Sequence, residues 1–173
     1  MFSNLNKRKK SKLNMREIIY DFTTHSLYYE NQGIDVPIFS LTIDTLEMVF
    51  ELQTGKLLYI QGFCPIIQAV KSNIILPTYN KKDYILHNFD LSTCNQNEVY
   101  DLTKKIPQTQ KYFEKRFVKY DREKGIIQIG HEMKKQETAI EVNNNILCGL
   151  DQNLDLKCLY IIPTRFIETT ISL

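Results

Sequence analysis

The stretch L46-EMVFELQTGKLLYIQGFC-P65 decides the fold. Met48-Val49-Phe50 and Leu57-Leu58-Tyr59-Ile60 are apolar arms on either side of the polar break Gln53-Thr54-Gly55-Lys56. A tight turn needs a residue that tolerates positive φ, and Gly55 supplies it without steric cost. The stretch therefore predicts a β-hairpin and not a catalytic loop. Two further segments share its form. Phe117–Gly130 turns at Asp121-Arg122-Glu123-Lys124-Gly125, and Ile146–Pro163 turns at Asp151-Gln152-Asn153. Their identities scarcely align and their separations are irregular, so they are expected to be repeated structural solutions and not a sequence repeat.

Upstream, Ile38, Ser40, Thr42 and Asp44 interleave with Phe39, Leu41 and Ile43, the period of a strand, with Pro37 at its start. Asp83–Leu91 is expected to add a strand. Pro65–Lys71 reads as a turn or two of helix, Glu98–Ile106 as a helix stopped by Pro107, and Pro107–Phe117 as the start of another. The expected fold is β-rich α+β: antiparallel hairpins forming a sandwich or half-barrel, with one to three short helices.

The 173 residues suit one domain. Charge is uneven along them. Residues 1–16 hold six basic groups and no acid, whereas the remainder has 16 basic and 20 acidic residues. This predicts a basic flexible tail over 1–14 and a single globular domain over 15–173. Met15 stands at the break, where translation itself could begin. A mildly acidic body gives no general reason to expect nucleic-acid binding, so that reading rests on the tail. No apolar run reaches the ~18–20 residues of a membrane span. No apolar stretch follows the basic N-terminus as in a secretory signal, so a cytoplasmic location is expected.

The residues that could carry chemistry are scattered. His25, His87 and His131 lie more than forty positions apart, and Cys64, Cys94, Cys148 and Cys158 lack CxxC spacing. Neither a metal site nor a cofactor site is expected, and phosphate-binding glycine motifs are absent. Cys64, between Phe63 and Pro65, is the best nucleophile candidate, but its apolar neighbours predict a buried, inert thiol. Cys148 and Cys158 would face each other across the third hairpin if its loop were centred on Asn153; a reducing cell would leave them as thiols. The acid pairs Asp121/Glu123 and Asp151/Asp155 fall in turns, where carboxylates cap backbone N–H groups. Lys111–Tyr120, KYFEKRFVKY, interleaves basic and aromatic residues. It is either a base-stacking platform using Tyr112 and Phe113, or an amphipathic element with Lys111, Lys115 and Lys119 on one outward helical face.

The segments LQTGKLLYIQGFCP, YFEKRFVKYDREKGIIQIG and AIEVNNNILCGLDQNLDLKCLYIIP together resemble small β-rich bacterial immunity proteins of polymorphic or contact-dependent toxin systems. The likeness covers residues 46–65 and 112–167 and lies in hairpin grammar; no site residue carries over. The resemblance implies a single-domain, non-enzymatic protein that binds and neutralises a cognate toxin. An acidic body rich in Tyr and Asn is compatible with a polar, adaptable protein interface. The alternatives are a nucleic-acid-associated protein acting through its tail, or an enzyme assembled around Cys64 or His87.

Overall fold

A computed structural model describes residues 17–30, 33–67, 69–115, 117–143 and 145–168. The basic tail lies outside the described residues. The strands are β1 Glu17–Asp21, β2 Ser26–Glu30, β3 Ile38–Ile43, β4 Leu46–Glu51, β5 Leu57–Phe63, β6 Val70–Lys71 and β7 Tyr79–Lys81. They continue with β8 Val99–Asp101, β9 Val118–Asp121, β10 Ile126–Gly130, β11 Thr138–Val142, β12 Ile146–Leu150, β13 Leu156–Ile161 and β14 Arg165–Ile167. Two four-residue helices, α1 Leu102–Lys105 and α2 Gln110–Phe113, precede β9. The β-rich expectation holds, and all three predicted hairpins are present as β4–β5, β9–β10 and β12–β13.

The strands form two seven-stranded sheets, ordered β14-β1-β2-β5-β4-β3-β8 and β6-β9-β10-β13-β12-β11-β7. Strands β1–β5 and β9–β13 repeat one arrangement: a hairpin, then a three-strand meander whose last strand returns to pair with the hairpin. The registers coincide. Leu27 opposes Gly62 as Ile127 opposes Ile161, and Leu46 opposes Gly62 as Ile146 opposes Ile161. Each meander carries a register shift at the same place, Val49/Phe50 and Gly149/Leu150. Positive φ recurs at matching turn positions: His25 and Gly125, Asp44 and Asn143, Gly55 and Leu154. The repeated structural solutions expected from the sequence are therefore two copies of one five-stranded arrangement. Leu46–Pro65 and Ile146–Pro163 are equivalent, and the partner of the Phe117–Gly130 hairpin is the unread hairpin Glu17–Glu30.

The sheets are also mixed, not purely antiparallel. Each gains a short parallel strand at both edges. β6 follows the first unit but pairs with β9 of the second, while β14 follows the second and pairs with β1 of the first. β7 and β8 add to β11 and β3 in equivalent registers, Tyr79 opposite Ala139 and Val99 opposite Ser40. Edges of two or three residues leave little open backbone for pairing with other chains.

One contiguous core serves both sheets. Ile18, Tyr20, Met48 and Ile60 join Ile127, Ile129, Cys148 and Leu159 in it. Alternation puts Phe39, Leu41 and Ile43 into this core, as the period-two reading requires. Phe166 of β14 ties the units together. Its ring lies 6.1 Å from that of Tyr20 and 6.5 Å from that of Tyr120. A Cβ on Gly125 would stand 3.1 Å from that ring, so the turn glycine also makes room for it.

Three local expectations fail. Asp83–Leu91 gives only an isolated bridge from Ile85 to Lys56. Pro65–Lys71 contains no helix among its described residues and ends in β6. Glu98–Ile106 starts as strand β8, because Asp101 accepts a hydrogen bond from the Lys104 N–H (3.0 Å) and so delays the helix start to Leu102.

Candidate interaction face

Helix α2, the residue after β10 and the β12–β13 turn meet at one end of the second sheet. Short 3-10 and α turns from Pro107 bury Thr109 and Phe113, leaving Tyr112 half-buried. A Cβ on Gly130 (φ +98°) would come within 2.5 Å of the Lys157 carbonyl oxygen and 2.8 Å of the Phe113 ring. Glycine there lets α2 close onto the strands. His131 follows directly. Its ring meets Tyr112 edge-on at 5.6 Å and Phe117 edge-on at 5.5 Å. Phe117 is 50% exposed and, with Pro65, Ala69 and Val70, lines a groove that Asp44 and Lys119 also line. Phe117, His131 and Tyr112 thus form an aromatic line from that groove to the β12–β13 turn.

At the far end of the line, Tyr112 donates its hydroxyl hydrogen bond to Asp151 (2.7 Å). Asp151 also accepts from the Asn153 and Asp155 N–H groups and lies 3.9 Å from the Lys111 ammonium. Burial alone would raise its carboxyl pKa, but these donors and Lys111 hold it below the ordinary range. Asp155 moves the other way, raised by burial and by Asp151 against the opposing pull of Lys111 and His87. Burial, followed by the Asp151 carboxylate, raises the Tyr112 phenol, which stays protonated as the donor. The Lys157 ammonium lies 5.6 Å from the Tyr112 ring centre and pairs with Glu137 at 2.9 Å, both side chains 5% exposed.

The other residues singled out in the sequence fall elsewhere. Asp121 caps its turn as expected, accepting from Glu123 and Lys124 N–H groups, and also binds the Ile74 N–H at 2.9 Å. His25 occupies the β1–β2 turn, and its carbonyl accepts from the Cys64 N–H. Cys64 is fully buried, in line with the inert-thiol reading. Cys148 and Cys158 do not face each other: Cys148 pairs with Leu159 and Cys158 with Gly149, so they point to opposite faces of the sheet. All four cysteines are free and buried, and burial pushes the Cys148 thiol far up and that of Cys158 up to about 12. No group of three or more metal-ligating side chains occurs among the described residues.

The Lys111–Lys119 face is corrected. Helix α2 ends at Phe113 and Lys119 lies on β9, so the three lysines share no helical face. Lys119 pairs with Glu132. The stretch does supply Tyr112 and Phe117, but His131, which joins them, carried no sequence signal. No helix among the described residues is long and apolar enough to cross a membrane. No protein-family model and no curated protein matches this chain.

Proposed function

We propose that this chain is a non-enzymatic, cytoplasmic protein-binding module that neutralises a cognate toxin, as an immunity protein does. The supporting observation is the aromatic line Phe117–His131–Tyr112, with half-exposed Phe117 beside the Pro65/Ala69/Val70 groove. Ordered aromatic anchors surrounded by polar groups are the usual source of binding energy in protein interfaces. In this reading the two sheets form a sandwich that holds the face rigid. The acidic excess of residues 17–173 would attract a basic partner such as a nuclease toxin.

The nucleic-acid alternative is less favoured by the body of the protein. Lys111, Lys119 and Lys124 each meet a carboxylate, of Asp151, Glu132 and Asp121 respectively, and so form no free cationic track. The test is a pull-down of the tagged chain from source-cell lysate, washed at low and high salt, followed by co-expression with the captured protein. One stoichiometric protein surviving both washes, with protection from its toxicity, is the expected result. Failure to obtain either complex or protection, or recovery of salt-labile nucleic acid alone, would refute the proposal.

A further inference from the structure

The two sheets differ in charge. The strands of the first hold six carboxylates and one cation, Arg165, whereas those of the second hold four lysines and two carboxylates. Alternation sets where the charge of the first sheet lies. Ile18, Tyr20, Met48 and Ile60 enter the core, so Glu17, Tyr28, Glu30, Glu47 and Gln61 face outward. Tyr28 and Phe63 of this face are each 45% exposed. Glu17 stands directly opposite Glu30, a position in which like charges repel. Arg165 meets Glu30 at 3.3 Å, with both side chains more than half exposed, and Glu47 accepts from the neutral Gln61 amide (2.9 Å).

On the second sheet, residues 72–78 join the edge strands β6 and β7 and put Ile74 against Leu147, Cys158 and Tyr160 of the outer face. The edge strands of the first sheet, β14 and β8, have no such connection between them. An occupant of the first sheet's outer face must bring cations to its carboxylates. A second copy would bring the same acidic face. Residues 1–16 hold six basic groups and no acid, and they run directly into Glu17 at the start of β1. Sixteen residues can span up to ~50 Å, against the ~15 Å from β1 to β4 three strands away.

We propose that residues 1–16 dock on the outer face of the first sheet, their basic groups meeting Glu17, Glu30 and Glu47 and their side-chain stems lying on Tyr28 and Phe63. This docking is independent of the toxin-binding reading. The test attaches a nitroxide at Ser3→Cys in the full ¹⁵N-labelled chain, whose four native thiols are buried. At about 0.01 M salt the label should attenuate the amide signals of Tyr28, Gln61 and Phe63, and at about 1 M, where charges are screened beyond ~3 Å, the signals should recover. The variant Lys7→Gln/Arg8→Gln/Lys9→Gln/Lys10→Gln/Lys12→Gln should lose the attenuation at low salt. A peptide of residues 1–16 added to that variant should bind the same face saturably, and about tenfold more weakly once Glu30→Gln and Glu47→Gln are introduced. Attenuation that neither salt nor the five substitutions change would reflect the tether alone and overturn the docking. Attenuation centred on the second sheet, or passing from a nitroxide-bearing chain to a ¹⁵N-labelled copy without one, would overturn it in favour of another face or a second copy.

Discussion

The two five-stranded units share strand order, register and turn conformations, yet they have diverged in what they bury. At the position where the first unit places Leu58, the second places Lys157, paired with Glu137 in a nearly dry site. The turn acid Asp21 of the first unit caps two exposed N–H groups, Thr23 and Thr24. Its counterpart Asp121 is buried and also holds the Ile74 N–H and the Lys124 ammonium (3.5 Å). The outer faces differ as well. The first sheet leaves Tyr28 and Phe63 each 45% exposed, while the second covers its outer apolar residues with a separate cluster of Ile74, Ile126, Leu147, Cys158 and Tyr160. Elements shared by both units are scaffold. Buried charge and a covered outer apolar cluster, found among the described residues in the second unit only, add cost and constraint.

Backbone freedom should give the largest contrast. Gly130→Ala would drive a Cβ into the Lys157 carbonyl, whereas Gly33→Ala, also at positive φ (+88°), has nothing within 4 Å. Urea unfolding should show a loss of more than about 3 kcal/mol for the first and about 1 kcal/mol for the second. Similar losses would mean that α2 does not close on Gly130 as described.

The buried ion pair comes next. Lys157→Leu imposes the residue of the first unit but strands Glu137, and should cost about 3–5 kcal/mol. Adding Glu137→Leu should recover most of that loss. A double variant as unstable as the single one would show that the pair does more than neutralise itself.

The acid-dependent part follows from three carboxylates. Asp121 is held low chiefly by the Ile74 N–H; in Asp151 and Glu137, hydrogen bonds and neighbouring lysines outweigh the upward effect of burial. Their folded pKa values are depressed, so the unfolded chain binds protons more tightly. Their stabilisation is complete above about pH 5 and is lost as pH falls through the folded values. Asp155, raised by burial and by Asp151, has the opposite sign and partly offsets this loss as pH falls. Thermal melts between pH 7 and pH 3 should show Tm falling with acid. Asp121→Asn should flatten the fall; an unchanged pH dependence in that variant would contradict the part given to Asp121.

The smallest effect concerns the thiols. Cys148 and Cys158 are buried with raised pKa values, so an aromatic disulfide reagent should label neither at pH 8 until the protein opens. Prompt labelling of either in the native protein would contradict the packing.

The hairpins were legible because Gly55 and Gly125 mark turns between apolar arms. The pairing of the two units was not, because equivalent turns use different residues for one backbone shape: His25 against Gly125, Gly55 against Leu154. What persists is the inward apolar pattern and a few identities, such as Tyr20-Asp21 with Tyr120-Asp121. Parallel edge strands of two or three residues are too short to leave a period. The Lys111–Tyr120 stretch stood out for its rings and lysines. Its helical reading failed because α2 ends at Phe113 and the chain from Val118 pairs with β10 as a strand.

The measurement that tests the functional claim most directly compares one exposed aromatic from each unit. Phe117→Ala and Tyr28→Ala both alter half-exposed rings and should leave the fold intact. In the salt-washed pull-down, Phe117→Ala should lose the partner and its protection while Tyr28→Ala retains both. Retention by Phe117→Ala together with loss by Tyr28→Ala would place the interface on the first sheet and contradict the account.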